Sequence, residues 1–226
     1  MSDDLTARRW DAEYRGGRYA AESPLPFVDT IVDVARRHGL VGEAVGLYVG
    51  CGNGRNYVPL ADAGLSLYGL DVSAEALRQL AARRPELATR LLHGSFRDLE
   101  PPIPVAYVVA IQVFQHGLAA AGAAYFDRVA ALLAPGGLFF LRVNSAATQV
   151  VREHTVIERG EHGGFSVRYL DGPKDGLAIH FYARAELEAL TRDRFATVVA
   201  PREDITHRAP PARGFWAQWE AVYRRC

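Results

Sequence analysis

The chain has 226 residues, 49% apolar and 23% charged, with 21 Gly and 12 Pro. That is ordinary globular composition with enough apolar material for one substantial core, and it excludes disordered, collagen-like and disulfide-scaffold classes. Lys plus Arg (26) balance Asp plus Glu (26), whereas a protein whose main partner is a polyanion carries a positive surplus, so nucleic-acid binding is disfavoured.

In chain order, residues 5–38 read as two helices, the second with Phe27, Ile31, Val34 and Ala35 at helical spacing, separated by Arg15-Gly16-Gly17-Arg18 and two prolines. Val45–Val49 is a short apolar run ending in glycines, followed by a helix from Asn56 to Ala63. Leu67–Leu70 is a second strand, and Ser73 caps a helix through Arg84. Arg90–His93 is a third strand. Val105–Ile111 lacks alternation, as a strand buried on both faces of a parallel sheet does. A helix over Ala120–Leu133 is broken by Pro135-Gly136-Gly137 before a strand over Leu138–Val143. Phe165–Leu170 and Leu177–Tyr182 form a hairpin, Glu186–Arg192 a helix, and Val198-Val199 and Phe215–Tyr223 the last strands. Strand and helix alternating about five times predict a doubly wound α/β sheet.

Gly50-Cys51-Gly52-Asn53-Gly54 falls between a strand and a helix, where missing Cβ atoms let backbone amides approach a ligand and the helix N-terminus supplies partial positive charge. Asp71 ends the second strand, placed to accept hydrogen bonds from both hydroxyls of a ribose. A dinucleotide loop needs a small residue where Arg55 stands, and a Walker loop needs Lys-Ser or Lys-Thr after its last glycine. Neither is present.

Leu47-Tyr48-Val49-Gly50-Cys51-Gly52-Asn53-Gly54-Arg55 resembles the first motif of the class I S-adenosylmethionine-dependent methyltransferases. Gly69-Leu70-Asp71-Val72-Ser73 is similar to that family's ribose-binding motif, His93-Gly94-Ser95-Phe96-Arg97-Asp98-Leu99 to its adenine-enclosing segment, and Gln112-Val113-Phe114-Gln115-His116 to the segment after strand four. Leu132–Gly137 resembles the turn before its fifth strand. The resemblance implies a Rossmann-like seven-stranded sheet in the order 3-2-1-4-5-7-6, the seventh antiparallel. It implies S-adenosylmethionine as cofactor and S-adenosylhomocysteine as product, held by Gly50, Cys51, Gly52, Gly54, Asn56, Asp71, Val72, Ser95, Phe96, Gln112 and Val113. Two departures stand out, Tyr48 and Ser95, where many members carry acidic residues. One domain over 1–226 is expected: a helical cap (1–40), a cofactor-binding core (41–144), a cap and hairpin insertion (145–182), and a C-terminal helix with strands six and seven (183–226).

Methyl transfer is an in-line displacement in which alignment supplies much of the rate, so shape counts for more than a signature triad. Gln112-Val113-Phe114-Gln115 departs from the Asn/Asp-Pro-Pro-aromatic pattern of the members that methylate amide or base nitrogens. Gln112 and Asn144 stand where metal-assisted members carry carboxylates, so no metal is expected. His116 and His180 are the candidate bases, each with a structural role as its alternative. Trp10, Tyr14, Arg18 and Tyr19 are read as a lid over the site, and Arg142, Tyr169 and Tyr182 as further acceptor-pocket residues. The expected activity is methylation of an O, N or S nucleophile on a small molecule, with a weaker likeness to tellurite and thiopurine methyltransferases. A protein or RNA methyltransferase and a non-catalytic cofactor-binding scaffold are the alternatives. The poor bridging pattern of Cys51 and Cys226, a start without an apolar signal core, and a longest apolar stretch about half a membrane span predict a soluble, cytoplasmic monomer or homodimer without membrane partners.

Overall fold

The computed structural model describes residues 3–98, 101 and 104–226; Leu99, which closes the adenine-like segment, lies outside them. In chain order the elements are α1 (Asp3–Arg15), α2 (Phe27–Arg37), β1 (Val45–Val49), α3 (Tyr57–Asp62), β2 (Ser66–Asp71), α4 (Ala74–Arg83), β3 (Leu91–His93), β4 (Val105–Ile111), α5 (Ala119–Leu132) and β5 (Leu133–Asn144). There follow β6 (His154–Arg159), β7 (Phe165–Tyr169), β8 (Ala178–Phe181), α6 (Arg184–Thr191), β9 (Phe195–His207) and β10 (Phe215–Arg225). A seven-stranded sheet has the order β3-β2-β1-β4-β5-β10-β9, and β6-β7-β8 form a second sheet. The chain groups into two compact units, one running to Val109 and including Leu132–Gly137, the other comprising Ala110–Ala131 and Leu138–Cys226.

In the first unit, β2 pairs parallel with both β1 and β3. The spacing of Phe27, Ile31, Val34 and Ala35 buries one face of α2, with Asp29 in its first turn and Arg36 and Arg37 in its last, the charge order a helix dipole favours. Ser73 caps α4 as expected, its Oγ accepting from the Ala76 amide at 3.1 Å. The small Gly46 in β1 is explained by the Tyr107 ring, which lies where its Cβ would be.

In the second unit, β10 runs antiparallel to β5 and to β9. Its core is aromatic: Phe114 stacks on Tyr125 at 4.8 Å between centroids, Phe126 meets Phe139 edge-on at 5.6 Å, and Phe139 contacts Phe195 and Tyr223. The expected hairpin is present as β7 and β8, and β6 adds a third strand that periodicity did not reveal. Its residues alternate poorly, with Val156 and Ile157 both left more than a third exposed. The break expected at Pro135-Gly136-Gly137 falls inside β5, which bends there with Gly136 at φ +90°. Strand β9 spans thirteen residues where only Val198-Val199 were expected.

Candidate functional site

Three left-handed glycines, Gly50, Gly52 and Gly54, turn the chain from β1 toward α3. The turn is tied to β2: the Gly50 and Cys51 amides both donate to the Leu70 carbonyl, and the Gly52 amide donates to Asp71 Oδ2 at 2.7 Å. Gly54 has a packing reason as well, since a Cβ there would lie 2.6 Å from Leu80 and 2.9 Å from Val58. The other Asp71 oxygen accepts from the Ser73 amide at 2.8 Å. Burial pushes the Asp71 carboxyl up from 3.8 to about 6, against the opposing pull of the Ser73, Gly52 and Val72 amides. Each oxygen is thus fixed by a backbone amide, Oδ2 by Gly52 and Oδ1 by Ser73.

The N-terminal segment lies on this loop. Asp11 Oδ1 accepts from Ser73 Oγ at 2.6 Å and from the Glu75 amide at 3.1 Å, so α1 completes the cap of α4. Gln79 donates to the Tyr14 carbonyl, and Asn53 Nδ2 donates to the Arg18 carbonyl. Asn56 Oδ1 accepts from the Leu25 amide, and Arg55 pairs with Glu22 at 2.9 Å. The Tyr14 hydroxyl rests where a Gly52 Cβ would stand, and Tyr14 lies between Trp10 and Tyr19, with ring centroids 5.9 and 6.2 Å away. Burial, followed by the Asp71 charge, holds the Tyr14 hydroxyl protonated. Arg18 sits over the Tyr19 ring at 4.6 Å. Trp10, Tyr14, Arg18 and Tyr19 are therefore brought together beside the glycine loop.

Tyr48 is buried beside Asn56, and Cys51 lies beneath the loop with its thiol pushed well up by burial. Ser95 Oγ accepts from the Arg97 amide at 3.3 Å, Phe96 is buried, and the Gly94 amide donates to the Asp71 carbonyl, which places this segment next to Asp71 and Val72.

The remaining candidates belong to the second unit. Gln112, just past β4, is held at φ +58°, a left-handed conformation that costs a residue with a Cβ about 1–2 kcal/mol. Its amide donates to the Arg142 carbonyl at 2.7 Å, and Val113 opens the turn that His116 closes. Burial pushes His116 down to about 3, aided by Lys174, so its imidazole is neutral at physiological pH. His180 is 1% exposed, with Nδ1 2.8 Å from Ser166 Oγ and Nε2 2.9 Å from Glu186. Both ring nitrogens are engaged inside the protein, tying β7 and β8 to α6.

Three expected pocket residues are committed elsewhere. Arg142 is buried and bonded to Glu220, Gln218 and Asp204, so it has no open face for a substrate carboxylate. The Tyr182 hydroxyl donates to the Phe114 carbonyl at 2.6 Å, and Tyr169 packs with Val167, Ile179 and Phe181 in the core of the three-stranded sheet. The sequence reading missed Asp11, Gln79 and Gln218. Asp11 shares the face of Tyr14 and Arg18 at helical spacing, a usable signal; Gln218 had none beyond being polar within an apolar strand. Among the described residues, no group of three or more His, Cys, Asp or Glu is placed to hold a metal ion, and no helix is long and apolar enough to cross a membrane.

Residues 47–137 match the family model of a methyltransferase domain. No curated protein sequence matches the chain. Among solved structures, an S-adenosylmethionine-dependent methyltransferase from Clostridium acetobutylicum is 15% identical with a TM-score of 0.63, covering 98% of both chains. The 1,6-didemethyltoxoflavin-N1-methyltransferase of Burkholderia thailandensis, solved with its acceptor and S-adenosylhomocysteine, is 19% identical at 0.63 over 100% of this chain and 91% of that one. Magnesium protoporphyrin IX methyltransferase from Synechocystis, with bound S-adenosylmethionine, is 16% identical at 0.63 over 99% and 98%. At these identities the solved structures speak for the fold alone, and the likeness to a methyltransferase domain in sequence is carried by residues 47–137.

Proposed function

We propose that the chain transfers a methyl group from S-adenosylmethionine to an O, N or S nucleophile of a small organic molecule. The observation that carries this reading is the tie between Gly52 and Asp71: a left-handed glycine loop whose own amide is locked to a buried carboxylate at the end of β2. A carboxylate fixed beside the loop by backbone amides fits the vicinal hydroxyls of a nucleoside. Gly50 to Gly54 would hold the amino-acid end, Asp71 and Val72 the ribose, and Ser95 and Phe96 the adenine. Gln112 and Val113, placed by the resemblance among the cofactor contacts, stand at the carboxyl end of β4, where such sheets bind ligands.

The bound cofactor supplies a methyl carbon on a positively charged sulfur; the chain's part is to position the acceptor and exclude water. A neutral nucleophile that has taken a methyl group becomes a far stronger acid and sheds its proton to solvent. The depressed His116 and the engaged His180 are therefore not required as bases. The balanced formal charge supports a small acceptor over a nucleic acid, and the toxoflavin precursor, porphyrin and amino-pentose enzymes among the structural neighbours act on such molecules. The test is calorimetric titration of S-adenosylhomocysteine into the wild type and Gly52→Val, followed by mass spectrometry of S-adenosylmethionine turnover over a small-acceptor panel. Absence of cofactor binding by the folded wild type refutes the reading.

A further inference from the structure

At the carboxyl ends of β4 and β5 three side-chain amides form a row. Gln112 Nε2 donates to Gln218 Oε1 at 3.0 Å, and Gln218 Nε2 donates to Asn144 Oδ1 at 3.0 Å. Their orientation is dictated from one end. Arg142 Nη1 lies 2.6 Å from the Gln218 side chain, and a guanidinium only donates, so the Gln218 atom facing it is oxygen. Gln218 therefore turns its NH2 toward Asn144, which must answer with its own oxygen. Gln112, meeting the same Gln218 oxygen, must answer with its NH2. Arg142 cannot swing away, because its other nitrogens are held by Glu220 and Asp204.

What is left over is fixed by subtraction. Gln112 keeps Oε1, an acceptor, and Asn144 keeps Nδ2, a donor. Neither atom has a partner among the described residues, and neither counts among the buried polar atoms left without one, so both reach solvent. Gln112 is also held in the left-handed region, at φ +58°. The neighbouring charge is already neutralised, Arg142 by Glu220 and Asp204.

We propose that Gln112 Oε1 and Asn144 Nδ2 form an acceptor–donor pair that recognises an uncharged N–H beside a C=O, the edge of a lactam, imide or amide on the methyl acceptor. This rests on the methyltransferase reading above and names the substrate class for its site. A ligand edge with the reverse order, or with the N–H methylated, would set donor against donor or leave a buried group unpaired.

The test uses the full chain saturated with S-adenosylhomocysteine, with binding of that product checked first by calorimetry. Probes are 2-quinolone, its N-methyl derivative and benzamidine, with affinities from ligand-observed NMR. The wild type is expected to bind 2-quinolone at least ~10-fold more tightly than the N-methyl form. Asn144→Asp retains the oxygen that faces Gln218 and turns the outward donor into an acceptor, so 2-quinolone should weaken ~10-fold and benzamidine, with two donors, should gain. Gln218→Met keeps the volume, removes the middle amide and should erase the preference between the two quinolones. Equal binding of the two quinolones by the wild type, no binding of either, or an unchanged ratio in whichever variant folds overturns the assignment. Failure to bind S-adenosylhomocysteine would instead overturn the methyltransferase reading, so the two failures are told apart.

Discussion

Cofactor affinity should fall as the solution is acidified through pH 6, and Asp71 is the reason. Its carboxyl is raised from 3.8 to about 6, chiefly by burial. An acid whose native value lies above its unfolded one contributes stability below the unfolded value and loses it as the pH rises through the native one. At 1.36 kcal/mol per pH unit, ionised Asp71 costs the unliganded fold about 3 kcal/mol above pH 6. Ribose hydroxyls donating to the carboxylate would offset part of that cost, so the ligand binds the ionised form and holds its carboxyl lower. Nearly all Asp71 is ionised at pH 7.5 and about a tenth at pH 5, so the Kd for S-adenosylhomocysteine should rise about tenfold, or ~1.4 kcal/mol. Calorimetry at pH 7.5 and 5.0, in buffers of different ionisation enthalpy, would measure both the Kd and the proton released on binding. His93 faces the same carboxylate, and His93→Gln checks that the effect belongs to Asp71. In Asp71→Asn the pH dependence should vanish with much of the affinity. A wild-type Kd constant within twofold between the two pH values would refute the ribose role of Asp71.

Gly52→Val forces a branched residue into φ +56° and displaces the Tyr14 hydroxyl; S-adenosylhomocysteine affinity should fall at least ~100-fold with the fold retained, and unchanged calorimetry would sink the loop assignment. Gly54→Ala meets Leu80 and Val58 in a left-handed backbone and should lower stability by about 1–3 kcal/mol, read as a drop in Tm. Arg142→Leu leaves the buried Glu220 with only the exposed Arg202 as a cationic partner, and a loss of about 3–5 kcal/mol is expected in denaturant titration; a loss under 1 kcal/mol would mean that Arg202 or water satisfies the carboxylate. Deleting residues 1–22 should leave a folded chain that binds cofactor more weakly and turns over poorly, and full turnover by that truncation would end the lid reading.

The glycine loop, the Ser73 cap and the place of Asp71 were legible because each is a local requirement: a turn needing positive φ, a helix start needing an oxygen, a strand end followed by amides that a carboxylate can accept from. The aromatic strip on α1 was legible as a set, although the means of its attachment, Asp11 capping a helix 62 residues away, is a long-range contact that no window can show. Arg142 was misread for the same reason. In sequence it is a cation at a strand end, and only the pairing of β10 with β5 and β9 brings Glu220, Gln218 and Asp204 around it. His180 looked available because the sequence does not say which face of β8 meets Glu186. Strand β6 escaped because its side chains alternate with no clear buried face, and its place depends on β7.

The two thiols give the molecule a built-in clock. Cys226 is exposed, whereas Cys51 is sealed beneath the glycine loop with its thiolate disfavoured by burial and by Asp71. Alkylating reagents attack the thiolate, so Cys226 should label at the reagent's own rate and Cys51 only during excursions that lift the loop from β2. The ratio of the two rates counts those excursions, with the second thiol correcting for reagent strength and pH. A ligand that pins the loop lengthens the interval between them, so occupancy of the site can be timed by mass spectrometry without a label, an acceptor or a turnover assay.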